Sequence, residues 1–119
     1  MDRIALRRIV AHGQHGNNSG ERDLPQPFHI DVSFDLDLAR ASESDALKDT
    51  IDYSRVYAQI MEIVEHRSYA LLERLGADLV DAVMSDDRVM RAEVTIAKPT
   101  ILDGATPSIT LIRERQPWP

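Results

Sequence analysis

The sequence contains no cysteine, so neither a disulfide nor a thiolate metal site can stabilise its fold. Its 119 residues are enough for one domain, which we expect to span residues 1–119 with a short tail at 116–119. A domain of this size buries only about two-thirds of the surface that its unfolded chain exposes, so its core is modest. We therefore expect copies of the chain to associate, because oligomerisation is the remaining source of stability.

Long apolar runs are also missing. No uninterrupted apolar segment approaches the roughly 20 residues that a membrane-spanning helix needs. The first residues, Met1–Ala5, lack the apolar stretch of a secretory signal peptide. These two absences predict a cytoplasmic protein that does not enter a membrane.

Basic residues are not in excess. The chain has 14 Lys and Arg residues against 20 Asp and Glu residues, a formal net charge of −6. Proteins that bind nucleic acids usually carry a basic patch on one face, whereas the densest cluster here, Arg113 and Arg115, is interrupted by Glu114. This balance disfavours nucleic acid and other polyanions as partners, and it favours a small, neutral or modestly charged ligand.

Clusters with the spacing of metal ligands are not evident either. His12 and His15 lie three residues apart in a glycine-rich loop, but the sequence suggests no third ligand for them. We therefore expect neither a metal ion nor a metal cofactor.

The segment 28–38 carries the clearest local pattern, because apolar and polar residues alternate through it without a break. This period of two is typical of a strand with one buried and one wet face, as in an antiparallel sheet covered on a single side. Arg3–Ala11 indicates an earlier strand with a less regular pattern. The intervening segment 12–20 is rich in Gly and Asn and predicts a long loop, the kind of segment that often carries function.

The period then changes to that of a helix. Val56, Ile60 and Val64 form one apolar stripe, and Asp52 is a plausible N-cap. A second stripe follows, made by Leu71, Leu72, Leu75, Leu79, Val83 and Met84. Alternation returns in Met90–Ala97, which predicts a third strand ending at Pro99, and Pro107–Arg113 predicts a fourth. The order ββααββ predicts an α+β fold, a four-stranded antiparallel sheet with both helices on one face.

Lys98 has the same strand parity as Ala92, Val94 and Ile96, so its side chain should leave the sheet on the apolar side. Two interpretations stay open. The lysine either extends its ammonium group to water at the end of the strand, or it is a partly desolvated amine whose basicity burial would change.

Several segments resemble motifs of the dihydroneopterin aldolase family, in that family's order. Met1–Ile4 is similar to its usual start, and His12–Gly16 resembles Tyr-Gly-Tyr-His-Gly, with Glu21 at the matching distance. Further matches are Gln26–Val32, Asp49–Val56 for Asp-Thr-Val-Asp-Tyr-X-X-Val, Leu71–Leu75 for Leu-Leu/Ile/Val-Glu-X-Leu, and Lys98 with Pro99. The matches run from Met1 to about Arg115, and the resemblance rests on their joint order.

This resemblance implies the tunnelling fold, in which ββααββ subunits join their sheets around a ring into a barrel. The family forms rings of four subunits, and in many members two rings stack into an octamer. The resemblance also implies homo-oligomeric active sites between neighbouring subunits, so that each site takes residues from two chains.

The implied reaction is the retro-aldol cleavage of 7,8-dihydroneopterin to glycolaldehyde and 6-hydroxymethyl-7,8-dihydropterin, a step of folate biosynthesis. Other aldolases form an imine on a lysine or use a metal to accept the electron pair. The dihydropterin ring already contains a conjugated C=N bond that can accept it. The resemblance therefore implies an enzyme without cofactor, metal or Schiff base.

Five residues match the family's functional positions. Glu73 would bind the pterin by accepting two parallel hydrogen bonds, and Leu72 would add a backbone contact. Lys98 would act as the acid and base through water, Tyr53 would contact the 2′-hydroxyl and the enol-type intermediate, and Glu21 would close over the trihydroxypropyl tail. Without the resemblance, Glu73 indicates an ordinary first-turn residue, Tyr53 an aromatic residue packed on the sheet, and Glu21 an exposed residue.

Two departures from the family pattern keep alternatives open. Gln14 replaces a tyrosine, and the segment 100–108 is shorter than usual and lacks a histidine, as in the sister branch, dihydroneopterin triphosphate epimerase. A triphosphate should attract several basic side chains, whereas this loop offers only Arg22. A non-catalytic pterin-binding or purine-binding oligomer is the third possibility, but binding alone would not require Glu21, Tyr53 and Lys98.

Overall fold

Four strands form a single antiparallel sheet in the order β1-β2-β3-β4. The computed structural model describes residues 1–99 and 102–116. Its strands are β1 (Asp2–Gly13), β2 (Gln26–Leu36), β3 (Arg91–Ala97) and β4 (Ser108–Glu114), and its helices are α1 (Ala39–Ser44), α2 (Tyr53–His66) and α3 (Leu72–Met84), with a 3-10 turn at Leu47–Asp49. The predicted α+β fold, a four-stranded antiparallel sheet with the two predicted helices α2 and α3 on one face, is confirmed, and α1 and the 3-10 turn are additional short elements. The predicted tail at 116–119 lies outside the described residues except for Gln116.

The core lies between one face of the sheet and the helices α2 and α3. Alternate residues of β2 and β3 are buried on that face, among them Phe28, Phe34 and Val94. They meet the predicted helix stripes, in which Ile60 and Leu79 are fully buried. Burying one such side chain contributes about 1.5–3 kcal/mol. None of the described helices is long and apolar enough to cross a membrane.

β1 contains a bulge that explains its irregular sequence pattern. Leu6 pairs with Val32 and Ile9 pairs with Ile30, so two residues of β1 face Asp31 alone. Arg8 takes up the extra length with a φ of 61°, and its backbone N–H donates to the Asp31 carboxylate at 2.8 Å. The apolar residues before and after the bulge therefore stay on the buried face although their spacing is not even.

The predicted second strand is too long, because β2 ends at Leu36 and not at Leu38. The Asp37 carboxylate accepts the Ala39 N–H at 2.9 Å, and the chain turns there into α1. Neither α1 nor the following 3-10 turn contains a buried residue. Both elements therefore lack the apolar stripe by which a helix can be predicted.

The direction of the helices gives the sheet two distinct ends. We call the end where Gly13 pairs with Gln26 the loop end, and the end where Asp2 pairs with Leu36 the entry end. α2 starts at the entry end, where the Asp52 side chain caps it, and it returns to the loop end. Its 14 residues span about 20 Å at 1.5 Å per residue. α3 starts at the loop end and runs back to the entry end.

Candidate active site

Lys98 lies directly after β3 and points to the apolar side, as its strand parity predicts. Its side chain is only 9% exposed, and its Nζ donates to the carboxylate of Glu21, which is 6% exposed. The interpretation in which the lysine extends to water is therefore wrong, and so is the interpretation of Glu21 as an exposed residue. Two residues 77 positions apart form a buried ion pair at the loop end.

The Glu21 carboxylate is held by its surroundings in the ionised form. Burial alone would raise its pKa, but the hydrogen bonds from Lys98 and from the Asn18 N–H, at 3.0 Å, outweigh this effect. The pKa of Glu21 is consequently lowered. Gly16 permits this arrangement, because a Cβ at that position would fall on the Glu21 carboxyl group.

The start of the loop is attached to the α2–α3 connection through His15, which is fully buried. Its Nε2 lies 2.8 Å from the Val64 carbonyl oxygen, and its Nδ1 accepts the Tyr69 N–H at 3.1 Å. Because a carbonyl can only accept and an amide N–H can only donate, the imidazole carries its proton on Nε2. Burial, together with the charge of Lys98, lowers the pKa of His15 and keeps the ring neutral.

These contacts distinguish His15, which lies in the loop, from His12, which the structure places in β1 and not in the predicted loop. Both nitrogens of His15 are engaged by the backbone, while His12 is exposed. Within residues 1–99 and 102–116, no group of three or more His, Asp and Glu side chains could hold a metal ion.

Leu72 and Glu73 begin α3 at the same end of the sheet. Glu73 is exposed in the first turn, where a negative charge interacts favourably with the helix dipole. Among the described residues its carboxylate makes no hydrogen bond or ion pair. Leu72 is half-buried against the core. The structure thus brings four of the five predicted site residues to the loop end.

Tyr53 lies apart from the other four. It is the first residue of α2 at the entry end, and its side chain is 59% exposed. It borders a cleft that is also lined by Ile4, Leu38 and Ile51. Because the length of α2 separates the two ends, the structure does not bring Tyr53 into contact with Glu21 or Lys98 of the same chain.

A polar cluster next to the site was not predicted from the sequence. The Asp78 carboxylate accepts from Arg67 at 2.6 Å, from the Tyr69 hydroxyl and from Arg74. Burial would raise the pKa of Asp78, but these three donors lower it to about 2. The spacing of Arg74 and Asp78, four residues apart on one helix, was the available signal, whereas the contributions of Arg67 and Tyr69 depend on the folded connection.

The two departures from the family pattern are Gln14 and the segment 100–108. The Gln14 side chain donates to the Asp23 carbonyl oxygen at 3.2 Å, so it stabilises the loop internally. The segment 100–108 begins with Thr100 and Ile101, which lie outside the described residues, and β4 starts at its last residue, Ser108.

Known proteins match almost the whole chain in sequence. The family model for FolB, dihydroneopterin aldolase, matches residues 4–112. The dihydroneopterin aldolase of Staphylococcus epidermidis is 34% identical over 119 residues, which cover 95% of this chain and 97% of the relative.

Solved structures share the fold. An E. coli dihydroneopterin aldolase in complex with neopterin superimposes with a TM-score of 0.89 at 18% identity, covering 95% of this chain and 99% of that one. A dihydroneopterin aldolase from Burkholderia bound to guanine gives a TM-score of 0.79 at 21% identity, covering 97% and 92%. These structures show the shared fold, and the matching family model together with the Staphylococcus relative establishes that the chain belongs to the dihydroneopterin aldolase family, which consists of lyases of folate biosynthesis.

Proposed function

We propose that this chain cleaves 7,8-dihydroneopterin to glycolaldehyde and 6-hydroxymethyl-7,8-dihydropterin by a retro-aldol reaction. The observation that carries the proposal is the buried Lys98–Glu21 pair, which lies at the end of the sheet where Glu73 starts α3. A proton donor, a proton acceptor and a carboxylate suited to a planar heterocycle are thus available at one end of the fold.

Glu73 is the proposed recognition residue. A pterin presents a 2-amino group and a ring N–H side by side, and guanine presents the same pair of donors. The relatives with bound neopterin and bound guanine therefore support a common recognition mode. A carboxylate accepts both hydrogen bonds in parallel, which fixes the plane and the orientation of the ring. The backbone of Leu72 lies next to this carboxylate and would add a further contact.

The chemistry requires only the transfer of protons. The 2′-hydroxyl loses its proton, the C1′–C2′ bond breaks, and glycolaldehyde leaves with C2′ as its aldehyde carbon. The electron pair moves from C1′ into the ring C=N bond, and C1′ then receives a proton to become the hydroxymethyl group. Lys98 is the proposed proton donor to the ring nitrogen, and Glu21 would accept hydrogen bonds from the hydroxyl tail. Positioned groups of this kind typically accelerate a reaction about 10²–10⁴-fold.

Tyr53 would complete the site from a second copy of the chain. Its side chain lies at the entry end, about one helix length from the loop end, so a site that uses both ends needs two chains. The sheet has free edges at β1 and β4, which are suited to pairing with further copies. We therefore propose a homo-oligomer, a ring of four or a stacked pair of rings, with sites between subunits.

The sister activity, epimerisation at C2′, is the second candidate, since the segment 100–108 lacks a histidine as in that branch. Both reactions pass through the same kind of intermediate but give different products. A single incubation can therefore distinguish them. The protein is mixed with 7,8-dihydroneopterin, and glycolaldehyde and the C2′ epimer are measured separately. Release of glycolaldehyde supports the aldolase, and the epimer alone supports the sister activity. Binding of neopterin without either product would leave a non-catalytic binding protein.

A further inference from the structure

The loop that carries Glu21 is held to the rest of the chain at few points. Besides the Lys98 contact, the Gln26 side chain at the start of β2 donates to two carbonyl oxygens of the loop, at 3.1 and 3.4 Å. The first residues of the loop also bind the short connection between α2 and α3. The Gly16 N–H donates to the Tyr69 carbonyl oxygen at 2.9 Å, and the Ser68 hydroxyl donates to the Gln14 carbonyl oxygen at 2.6 Å. These are two exposed or backbone contacts, which alone would leave the loop weakly anchored.

His15 supplies the buried part of this anchor. Its ring packs edge-on against Phe28, with the ring centroids 5.3 Å apart, and it is closed to solvent. One nitrogen donates to Val64 at the end of α2 and the other accepts from Tyr69. Gly13 leaves the necessary space, since a Cβ there would lie 2.6 Å from the Val64 carbonyl oxygen. A neutral imidazole can donate from one ring nitrogen and accept at the other.

The same connection leads directly into the recognition residues. Tyr69 is followed within one turn by Leu72 and Glu73, and its hydroxyl is bound by Asp78 further along α3. A displacement of His15 would therefore change the position of the Glu21 loop relative to the start of α3. The loop has no other buried side chain joined to that connection among the described residues.

We propose that His15 is a positioning residue that keeps the Glu21–Lys98 pair in register with the pterin-binding start of α3. The effect of this positioning role on turnover rests on the proposed function. His15 does not touch substrate in this role, because both of its nitrogens are occupied and its ring is buried. Misplacement of a reacting group by about 1 Å can lower turnover on the order of 10²-fold, which sets the effect to be expected.

Two substitutions each remove one half of the anchor. His15→Asn places an oxygen near the former Nδ1, so it can accept from Tyr69 but loses the donor to Val64. His15→Gln places an amide near the former Nε2, so it can donate to Val64 but loses the acceptor for Tyr69. His12→Asn is the matched control, because His12 is an exposed histidine at the end of β1, three residues before His15. Circular dichroism and sedimentation establish that each variant folds and assembles as the unsubstituted protein does.

The first measurement is hydrogen–deuterium exchange of the peptide that contains Glu21, and it needs no activity. We expect faster exchange in both His15 variants and unchanged exchange in the His12 variant. Equal exchange in all proteins would refute the anchor. If the His15 variants do not fold, Ser68→Ala, which removes only the hydroxyl contact to Gln14, takes their place with the same expectation.

The second measurement is turnover against pterin affinity. We expect kcat to fall on the order of 10²-fold in the His15 variants while the Kd for neopterin changes less than about 3-fold. Release of Glu21 from Lys98 would also raise the lowered pKa of its carboxyl, so the acidic limb of the pH–rate profile should move to higher pH. Equal losses in kcat and affinity with an unmoved profile would contradict positioning. Absence of turnover in the unsubstituted protein would refute the proposed function. The hydrogen–deuterium exchange of the Glu21 peptide would then be the only test of whether His15 anchors the loop.

Discussion

Lys98 and Glu21 are a cation and an anion at a position that water hardly reaches. Removing both charges from water costs several kcal/mol per ion, and their attraction offsets this cost only while both are present. Such a pair is therefore a weak source of stability, and removing one partner typically costs about 3–5 kcal/mol. Chemistry explains the arrangement better than stability does, because the pair keeps two groups that can exchange protons next to each other.

Lys98→Ala should separate catalysis from binding. Under the proposed function Lys98 transfers protons and acts mainly on the transition state, so we expect kcat to fall about 10²–10⁴-fold with a much smaller change in neopterin affinity. Urea unfolding must accompany the kinetics, because the substitution leaves Glu21 buried without its partner. Unchanged turnover would make Lys98 a structural residue.

Lys48 is the only other lysine of the chain and provides the matched control. It is exposed in the 3-10 turn, and Lys48→Ala should leave turnover unchanged. Incubation of the unsubstituted protein with substrate and borohydride should give no gain in mass, because in the proposed reaction the pterin ring takes the electron pair and no imine forms. A trapped adduct on Lys98 would refute the self-supplied electron sink.

Glu73→Gln should affect binding first. The amide retains the shape of the side chain but replaces one acceptor by a donor and removes the charge, so one of the two parallel hydrogen bonds is lost. We expect neopterin to bind more weakly by about 2 kcal/mol, measured by calorimetry. Glu43→Gln, exposed in α1, is the control and should bind normally. Equal affinity of the Glu73 variant and the unsubstituted protein would show that the pterin is recognised elsewhere.

At the scale of elements, the sequence predicts what a repeating pattern encodes. β2, α2 and α3 each carry a buried stripe, and their presence and type follow from its period. α1 and the 3-10 turn bury nothing, so no pattern marks them. The end of β2 depends on the side-chain contact from Asp37, and the bulge of β1 depends on its pairing with Asp31. Such features follow from the neighbours of a residue, which the sequence order alone does not reveal.

In the site, too, the sequence predicts what a repeating pattern encodes and misses what depends on neighbours in space. Strand parity alone predicts that Lys98 points into the apolar side. Its partner Glu21 lies 77 residues away in a loop without a repeating pattern, so only the resemblance to a family indicated it. For His15 the sequence suggests only a metal-binding role, because its actual partners are backbone groups of Val64 and Tyr69, which no side-chain pattern can predict.

The Asp78 cluster allows a test of the connection between α2 and α3. Because its folded-state pKa is lowered from 3.8 to about 2, its stabilisation is complete above pH 3.8 and is lost as the pH falls through about 2. Asp78→Asn should therefore lower the free energy of unfolding at neutral pH by about 2 kcal/mol, and this difference should shrink between pH 3.8 and 2. Urea unfolding at several pH values measures it.

Asp81→Asn, an exposed position on the same helix, is the control and should change stability little. A deficit of the Asp78 variant that stays constant down to pH 2 would mean that the carboxylate charge does not contribute to the cluster.

At the scale of the whole molecule, the predicted site residues lie at two ends of one chain. Glu21, Leu72, Glu73 and Lys98 belong to the loop end, and Tyr53 belongs to the entry end. No hinge within a sheet and two packed helices would bring the ends together, because α2 is a rigid rod of about 20 Å. The two ends can meet only between copies, which makes assembly a condition of activity under the proposed function.

Mixing two inactive variants tests this condition. Tyr53→Phe removes the hydroxyl at the entry end, Lys98→Ala removes the ammonium at the loop end, and each homo-oligomer should have little activity. In a mixed oligomer, some sites combine the intact Lys98 of a Tyr53→Phe chain with the intact Tyr53 of a Lys98→Ala chain. With random mixing of equal amounts, about a quarter of the sites are intact, because each of the two positions is intact in half of the chains.

The variants are co-refolded, and turnover is compared with that of the two separately refolded proteins mixed without exchange. We expect the co-refolded sample to regain about a quarter of the unsubstituted activity and the simple mixture to regain none. A site formed within one chain predicts no recovery in either sample, because every chain carries one defect. Recovery in a sample that sediments as monomers would also contradict the shared site, since the intact residues of two chains could not then meet.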